Sequence, residues 1–166
     1  LPIFIDSPLA SGITSVFKRH MELYDLETQK LFKGKESPFE MKQLKHTASV
    51  DDSKKLNFFI GPCIIISASG MCEAGRIRHH LRNNIEDPKS SVVIVGYQAE
   101  NTLGRKLVDG APMIKIFDQM YKVNAEVVVL EAFSAPADMN DLDDFIKKIK
   151  GLKKIMLVHG EEDQSR

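Results

Sequence analysis

The sequence predicts an α/β fold in which a mainly parallel sheet is flanked by helices. Three observations favour this class. Short apolar runs alternate with segments of helical periodicity, as in strand–helix–strand units. Two of the runs, "PCIIISA" and "SVVIVGY", are continuously apolar, which is typical of strands buried on both faces of a parallel sheet. Small polar loops follow these runs and lead into the helical segments.

Composition is that of an ordinary globular domain. The balance of charges gives the chain as a whole no attraction for charged ligands, so any such attraction must come from a local site. The 166 residues are 43% hydrophobic and 28% charged, and the formal net charge is +0, so any anion site must be local. Cys63 and Cys72 have no partners at zinc-ligand spacing, which predicts reduced thiols and a cytoplasmic protein. No apolar run of membrane length and no signal peptide occurs, so we expect no membrane partner. The chain begins at Leu1 within a strand-like run, and we expect it to be a fragment.

The segment up to about residue 110 predicts strands and helices in alternation. Asp6 or Ser7 is the expected N-cap of the first helix, and Pro8 suits its first turn, where a missing N–H costs nothing. The strands are expected at "PIFI", "LKHTAS", "PCIIISA" and "SVVIVGY", and the helices at "DSPLASGITSVFKRHMELYDLETQKLF", "VDDSKKLN", "GRIRHHLRNNI" and "NTLGRKLV".

The pattern changes from about Ala111. The next apolar stretch, "PMIKIFDQMYKVNAEVVVLEAF", predicts two strands, more in keeping with an antiparallel pair, joined by a turn near Asp118–Gln119. "DMNDLDDFIKKIK" predicts a helix whose early acids and late lysines match the helix dipole. Gly151 is its expected C-cap and "KKIMLVHGE" a final strand, so this part is expected to be strand–helix–strand.

Three loops that follow predicted strands could share one ligand. They are "DSPLASG", "SASGMCEAGR" and "GYQAENTLGR". Ligands of open parallel sheets bind at the carboxyl ends of strands, and the N–H groups at the start of a helix favour an anion. Ser69 and Gly70 would let the backbone approach a phosphate. The nearby cations are Arg76, Arg78 and Arg105. The same residues are equally compatible with turn caps that bind nothing.

Histidine and aspartate residues offer further candidates. His159 ends an apolar run beside Gly160 and is either a metal ligand or a structural residue. Asp138 is either the N-cap of the predicted helix or a carboxylate that orients a catalytic group. His79 and His80 are adjacent on a predicted helix, so their side chains diverge by about 100° and cannot both serve one site.

Five blocks of the sequence together resemble the β-CASP metallo-β-lactamase family of RNA-processing nucleases. In order, they are "IDSPLA", "SASGMCEAGRIRHHL", "VGYQAENTLGRKL", "AFSAPAD" and "LVHGEE". They span nearly the whole chain and are most similar to the bacterial and archaeal members. The resemblance implies a two-part, zinc-dependent ribonuclease that hydrolyses phosphodiester bonds.

In that family the β-CASP cassette is inserted in a metallo-β-lactamase domain. The resemblance implies a β-CASP domain over residues 1–117 and, over residues 118–166, a return segment of the metallo-β-lactamase domain with the RNA-metabolising motif. The HxHxDH cluster that supplies most zinc ligands is absent from this sequence. We therefore expect the chain alone to bind RNA without hydrolysing it, and to need the missing catalytic domain for activity.

The resemblance also assigns residues to the RNA path. The Ser67–Gly70 loop and Arg76 match a block that faces the scissile phosphate, and Arg105 matches a block near the RNA. The residues implied in RNA or phosphate binding are therefore Ser67, Ser69, Gly70, Arg76 and Arg105.

One residue departs from the family at the catalytic end. His159 matches a late histidine that binds zinc, and Asp138 matches the acid of "SAHAD". Pro136 stands where the family has the histidine that protonates the leaving oxygen. Proline has no titratable group, and a general acid–base residue is commonly worth about a hundred- to ten-thousand-fold in rate. The alternative function is therefore a non-catalytic member that holds RNA or a partner protein.

Two further hypotheses concern assembly and class. "EVVVLEAF" would pack against the catalytic domain, so we expect the chain alone to self-associate through its C-terminal strands. A regulatory domain that binds a mononucleotide is a third possibility from another class. It is disfavoured because neither GxGxxG nor the phosphate-loop motif is present.

Overall fold

The computed structural model describes residues 1–33, 39–133 and 137–158. They belong to two compact units, Leu1–Phe133 and Ser134–Arg166. The strands are β1 (Ile3–Asp6), β2 (Leu44–His46), β3 (Ile64–Ser67), β4 (Ser91–Ile94), β5 (Met113–Ile116), β6 (Gln119–Lys122) and β7 (Glu126–Val129). The helices are α1 (Pro8–Arg19), α2 (Leu26–Lys33), α3 (Val50–Leu56), α4 (Ile77–Asn84), α5 (Leu103–Val108) and α6 (Met139–Lys147), with short 3₁₀ turns at Met21–Leu23 and Glu131–Phe133. The predicted α/β class is confirmed.

The strands pair in three small sheets. The first has the order β2–β1–β3 and is parallel throughout, with Ile5 opposite His46 and Asp6 opposite Ser67. The second is the parallel pair β4–β7, and the third is the antiparallel hairpin β5–β6. Strands β1 and β3 therefore end side by side, whereas β4 ends in a different sheet.

The best-buried core of the first unit lies around α4, α5 and β5. Its fully buried side chains are Ile85, Leu107, Ile114 and Ile116, and Leu81 and Leu103 pack in the same cluster. The apolar residues of α4 and α5 recur at intervals of four, which turns one face of each helix inward. This core holds the start of α4, where several candidate residues lie.

The first predicted helix is interrupted. Ser7 is its N-cap, because its side-chain oxygen accepts a hydrogen bond from Ala10 N at 3.2 Å. The helix ends at His20, whose backbone leaves the helical region with φ −116° and ψ 46°. Helix α2 then follows Asp25, whose carboxylate accepts from Thr28 N at 2.7 Å. Two local caps thus divide the predicted segment into α1 and α2.

Strand β3 differs from its prediction in burial. Ile64 is 44% exposed and Ile66 50% exposed, whereas Ile65 and Ser67 are half-buried. Side chains alternate between the two faces of a strand, so only one face of β3 packs against the rest of its unit. Strand β4 behaves alike, with Val93 half exposed. The prediction of burial on both faces is wrong.

The stretch after residue 110 contains three strands and not two. The antiparallel pair is confirmed as β5–β6, with its turn at Phe117–Asp118. The backbone N–H groups of Asn124 and Ala125 then donate to the carbonyl of Ile85, at 2.9 and 3.0 Å. These bonds place the segment that follows the hairpin next to β4, and the "EVVV" run, β7, pairs with β4 in parallel.

The second unit contains the predicted helix, α6, but its described residues, which end at 158, include no final strand. The C-cap is Lys148, and Gly151 lies further on with φ +74°. Residues 152–158 form no strand in the described part of the chain, and their side chains are exposed. A strand needs a paired neighbour for its backbone groups, and none of the described residues supplies one here.

Two other expectations concern the whole chain. Cys63 and Cys72 are free thiols, and burial, followed by the charge of Glu73, raises the pKa of Cys72 to about 11. Within the described ranges, every helix is too short or too polar to cross a lipid bilayer. The cytoplasmic location stays a prediction.

Candidate functional site

The carboxyl ends of β2, β1 and β3 bring polar residues together at one edge of the first sheet. Asp6 ends β1, Ser67 ends β3 beside it, and His46 ends β2 on the other side. Helix α1 begins directly after Asp6, and its Ser11 shares a hydrogen bond of 2.8 Å with His46 Nδ1. Parallel pairing is what aligns these residues, because all three strands end at the same edge.

Asp6 is the centre of this edge. Its side chain is 0% exposed and accepts four side-chain hydrogen bonds. Oδ1 accepts from Thr47 Oγ1 and, at 2.7 Å, from Arg76 Nη1. Oδ2 contacts Ser53 Oγ and His80 Nε2, each at 2.6 Å. One carboxylate thus joins the end of β2, helix α3 and the first turn of α4.

The carboxyl group of Asp6 is ionised at neutral pH. Burial alone would raise its pKa, since a charged group loses water on entering the protein. The hydrogen bonds from Ser53, Thr47, His80 and Arg76 together outweigh burial and lower the pKa of Asp6 to about 2. A negative charge is therefore fixed beneath the loop that follows β3.

Arg76 is positioned by that charge. Its Nη1 lies 2.7 Å from Asp6 Oδ1 and 3.5 Å from the carbonyl of Thr47, and 18% of its side chain remains exposed. Arg76 and His80 are four residues apart, so both lie on the face of α4 that meets Asp6. The guanidinium is held in one orientation, and a small part of the Arg76 side chain stays exposed.

Two serines at the start of the loop between β3 and α4 fix the path of its backbone. Ser67 Oγ donates to the carbonyl of Asp6 at 3.0 Å, and Ser69 Oγ accepts from Ala74 N at 3.2 Å. Gly75 has φ +77°, and a Cβ there would lie 2.5 Å from the Ala68 carbonyl oxygen, so only glycine fits. Gly70 differs, because a Cβ on it would meet open space. Gly70 is thus the part of the loop that a ligand can approach.

Gln98 ties the loop after β4 to the loop after β3. Its side chain is buried, and Nε2 lies 3.0 Å from each of the carbonyl oxygens of Gly70, Gly96 and Tyr97. Gly104 packs directly on this amide, where any Cβ would clash with Gln98 Oε1. The two loops therefore meet, although their strands belong to different sheets.

The start of α5 is already occupied by protein groups. Glu73 accepts from the Leu103 N–H, and Thr102 Oγ1 accepts from the Arg105 N–H at 3.2 Å. The Arg105 side chain donates from Nε to Asp109 Oδ1 at 2.8 Å. The expectation that this helix offers N–H groups to an anion is therefore wrong. The serines, Gly70 and Arg76 come together around the loop after β3, and Arg105 lies on the helix that Glu73 attaches to that loop.

The second unit contains Asp138, the N-cap of α6. Its Oδ1 accepts from Asp141 N at 2.9 Å, and Asp141 Oδ2 accepts from Asp138 N at 3.2 Å, a reciprocal capping box. The capping alternative is confirmed, and the orienting role stays a prediction. Pro136 and His159 lie outside the described residues.

No group of three or more histidine, cysteine, aspartate or glutamate side chains is placed to hold a metal in the described ranges. The described residues thus do not fit a zinc ion by themselves. His159, the predicted ligand, is not among them.

Sequence reasoning missed the Asp6 network. From the sequence, Asp6 is expected only as a helix cap, and no expectation attaches to Thr47 or Ser53. The signal that could have revealed it is the spacing of Arg76 and His80, which places two basic side chains on one helical face after a strand that ends beside Asp6. The order of the strands in the sheet decides which carboxylate these side chains meet, and no local sequence pattern gives that order.

Comparison with protein-family models identifies the fold family. The model of the Beta-Casp domain matches residues 1–107. The chain belongs to the β-CASP family. A second model, described as the Zn-dependent metallo-hydrolase RNA specificity domain, matches residues 120–166. The resemblance seen in the five sequence blocks is therefore confirmed.

Several named proteins are similar to this β-CASP chain over nearly its whole length. A Thermus thermophilus ribonuclease is 34% identical over 163 residues, which is 98% of this chain and 37% of the relative. An RNase J-like protein of Methanocaldococcus jannaschii is 36% identical, covering 99% of this chain and 37% of the relative. The transcription termination factor FttA of the same organism is 32% identical, covering 98% of this chain and 27% of the relative. The chain thus spans about a quarter to just over a third of these relatives.

Proposed function

We propose that the chain is the RNA-holding part of a zinc-dependent ribonuclease of the metallo-β-lactamase fold. The observation that carries this proposal is the edge of the first sheet, where ionised Asp6 holds Arg76 at the end of the loop that contains the open backbone of Gly70. Membership of the β-CASP family and the named ribonuclease relative support RNA as the ligand.

The chemistry of the edge suits a phosphate group. A guanidinium offers planar pairs of N–H donors that match phosphate oxygens, and only Nη1 of Arg76 is directed at Asp6 and Thr47. The absence of a side chain on Gly70 lets a backbone or a sugar approach the loop closely. Asp6 is fully enclosed, so its charge orients Arg76 without facing the ligand.

The remaining roles are proposed for the protein that contains this chain. His159 would be a zinc ligand, Asp138 would orient the catalytic centre, and Arg105 would line the RNA path. The β-CASP domain would cover residues 1–117, and residues 118–166 would belong to the metallo-β-lactamase domain. A family model described as Zn-dependent covers the region of His159 and Asp138, which supports zinc as the cofactor.

RNA binding by the full-length protein tests the proposal. Gly70→Val fills the open space without touching Arg76, and it should weaken binding of a labelled oligonucleotide about ten-fold or more through steric exclusion. Arg76→Gln should weaken binding as well. Arg19→Gln removes the same charge from the exposed end of α1 and should have no effect. Equal affinity of all three variants and the parent would overturn the assignment of this edge.

A second candidate function is favoured by Pro136. If proline leaves the centre without its proton donor, the full-length protein holds RNA or a partner without cutting. Pro136→His should then increase cleavage by about a hundred-fold or more, the usual worth of a general acid. A parent that cleaves RNA as fast as the variant would exclude the non-catalytic alternative.

A further inference from the structure

Helix α4 presents a second basic face, opposite the one that meets Asp6. Successive residues of a helix turn by about 100°, so Arg78 and Arg82 lie roughly 120–160° away from Arg76 and His80 around the helix axis. Their spacing of four residues puts the two arginines on one line along the helix. Nothing in the Asp6 network involves them, so their role needs a separate explanation.

An aromatic ring lies beneath these arginines. The guanidinium carbon of Arg78 lies 4.4 Å from the centre of the Phe117 ring, and that of Arg82 lies 5.8 Å away. The imidazole of His79 is 4.7 Å from the same ring, tilted by 39°. Phe117 is itself 37% exposed, and His79 and Arg82 are exposed. We call Arg78, His79, Arg82 and Phe117 the arginine–phenylalanine patch.

The backbone holds Phe117 in this place against its own preference. Phe117 and Asp118 form the two-residue turn between β5 and β6, with φ +47° and φ +66°. Such a turn favours Asn-Gly or Asp-Gly, and a bulky aromatic residue at positive φ is a true outlier. Strain of this kind persists where the surroundings demand it and concentrates at functional positions.

The charge of the patch is positive, although the carboxylate of Asp118, whose pKa is lowered mainly by Lys115, also interacts more weakly with Arg78. Of the nearby acids, Asp118 pairs with Lys115 at 3.0 Å, and Glu86 accepts from Lys122 N at 3.1 Å. Arg82 forms no ion pair with any residue in the described ranges. Arg78 Nη1 donates to the carbonyl of Glu73 at 3.4 Å, whereas its Nε is buried there without a hydrogen-bond partner. Burial, then the neighbouring Arg82, His80 and Arg78, lowers the pKa of His79, which favours a neutral ring at neutral pH.

We propose that the arginine–phenylalanine patch is a second contact for single-stranded RNA, on the side of α4 away from the Asp6 edge. Stacked guanidinium and aromatic planes accept any base on their faces, while the arginine N–H groups reach the phosphates on either side. The patch would hold a segment of the RNA outside the cleavage site, so that the protein would bind a longer stretch of RNA. This inference rests on the proposed RNA-binding function.

Fluorescence anisotropy with the full-length protein tests the patch. The probes are labelled 2′-O-methyl oligoadenylates of two lengths, one short and one long, which resist cleavage. Arg78→Ala/Arg82→Ala should bind the long probe about ten-fold more weakly. The slope of log K against log salt concentration should become shallower by about 1.4, because each lost phosphate contact removes roughly 0.7 from it. Binding of the short probe, held by the Asp6 edge, should not change.

Matched variants separate binding from folding. Lys54→Ala/Lys55→Ala removes the same charge from α3, where both lysines pair with neighbouring aspartates, and should leave RNA affinity unaltered. Arg82→Ala alone removes an exposed side chain without disturbing the fold and should weaken binding of the long probe several-fold. Phe117→Leu should weaken it about five-fold or more through lost stacking.

The outcomes distinguish the two proposals. A parent that binds neither probe overturns RNA binding as the function. A parent that binds both probes, with Arg78→Ala/Arg82→Ala equal to it in affinity and salt dependence, overturns the patch alone. An equal loss in the lysine control also overturns the patch, because the effect would then be one of net charge.

Discussion

Asp6→Asn removes one charge from the centre of the first sheet while keeping the shape of the side chain. In the parent, Oδ2 accepts from Ser53 and His80, and Oδ1 accepts from Thr47 and Arg76. An asparagine can still accept on one side, but its amide must donate on the other. The guanidinium of Arg76, whose side chain is only 18% exposed, then lacks its counter-charge.

The size of the effect follows from the pKa of Asp6. The fold lowers that pKa from 3.8 to about 2, and one pKa unit corresponds to about 1.4 kcal/mol, so ionised Asp6 favours folding by roughly 2 kcal/mol. A lowered pKa makes this contribution complete above pH of about 4 and removes it as the pH falls towards about 2. Asp6→Ala should cost more, about 3–5 kcal/mol, because a buried charged partner is left without an acceptor.

Urea unfolding followed by circular dichroism measures this directly. At pH 7 Asp6→Asn should be about 2 kcal/mol less stable than the parent, and most of the gap should be gone near pH 2, where the carboxyl group of the parent is about half protonated. Glu100→Gln, an exposed acid of the same compact unit, is the matched control and should change stability by less than about 0.5 kcal/mol. A gap that is absent at pH 7, or that persists unchanged to pH 2, refutes the reasoning.

Three further substitutions test other parts of the molecule. A Cβ on Gly104 would lie 1.7 Å from Gln98 Oε1, so Gly104→Ala should lower the free energy of unfolding by about 2 kcal/mol. Gly12→Ala, in the open interior of α1, should raise the free energy of unfolding by up to about 1 kcal/mol. Identical urea midpoints for Gly104→Ala and Gly12→Ala would contradict the close packing of Gly104 on Gln98. Asp118→Gly should raise thermal stability by about 0.5 kcal/mol because glycine suits φ +66°, and a lower melting temperature would argue against a strained turn. Phe133, at the end of the "EVVVLEAF" segment, is 69% exposed, so the isolated chain should self-associate in sedimentation runs and Phe133→Ser should weaken this; a parent that stays monomeric at high concentration disproves the expectation.

Local signals predicted the elements well because their causes are local. Ser7 caps α1 and Asp138 caps α6 through side-chain oxygens that reach N–H groups three residues away, and such spacing is visible in the sequence. The alternation of strands and helices gave the α/β class for the same reason. The predictions that failed required knowledge of neighbours. The face of Ile64 and Ile66 is half exposed because none of the described residues packs over it, and the "EVVV" run pairs with β4 because Asn124 bonds to Ile85.

The sequence by itself determined the family, because five ordered blocks are similar to β-CASP nucleases, and it placed Arg76, Gly70 and the serines in one loop. Tertiary structure alone decided what holds that loop. Asp6 meets Arg76 across 70 positions of sequence because β1 pairs with β3 in a parallel sheet, and Phe117 meets Arg78 because a tight hairpin folds back onto α4. Pairing and packing act between segments that are distant in the chain, so no local pattern records them.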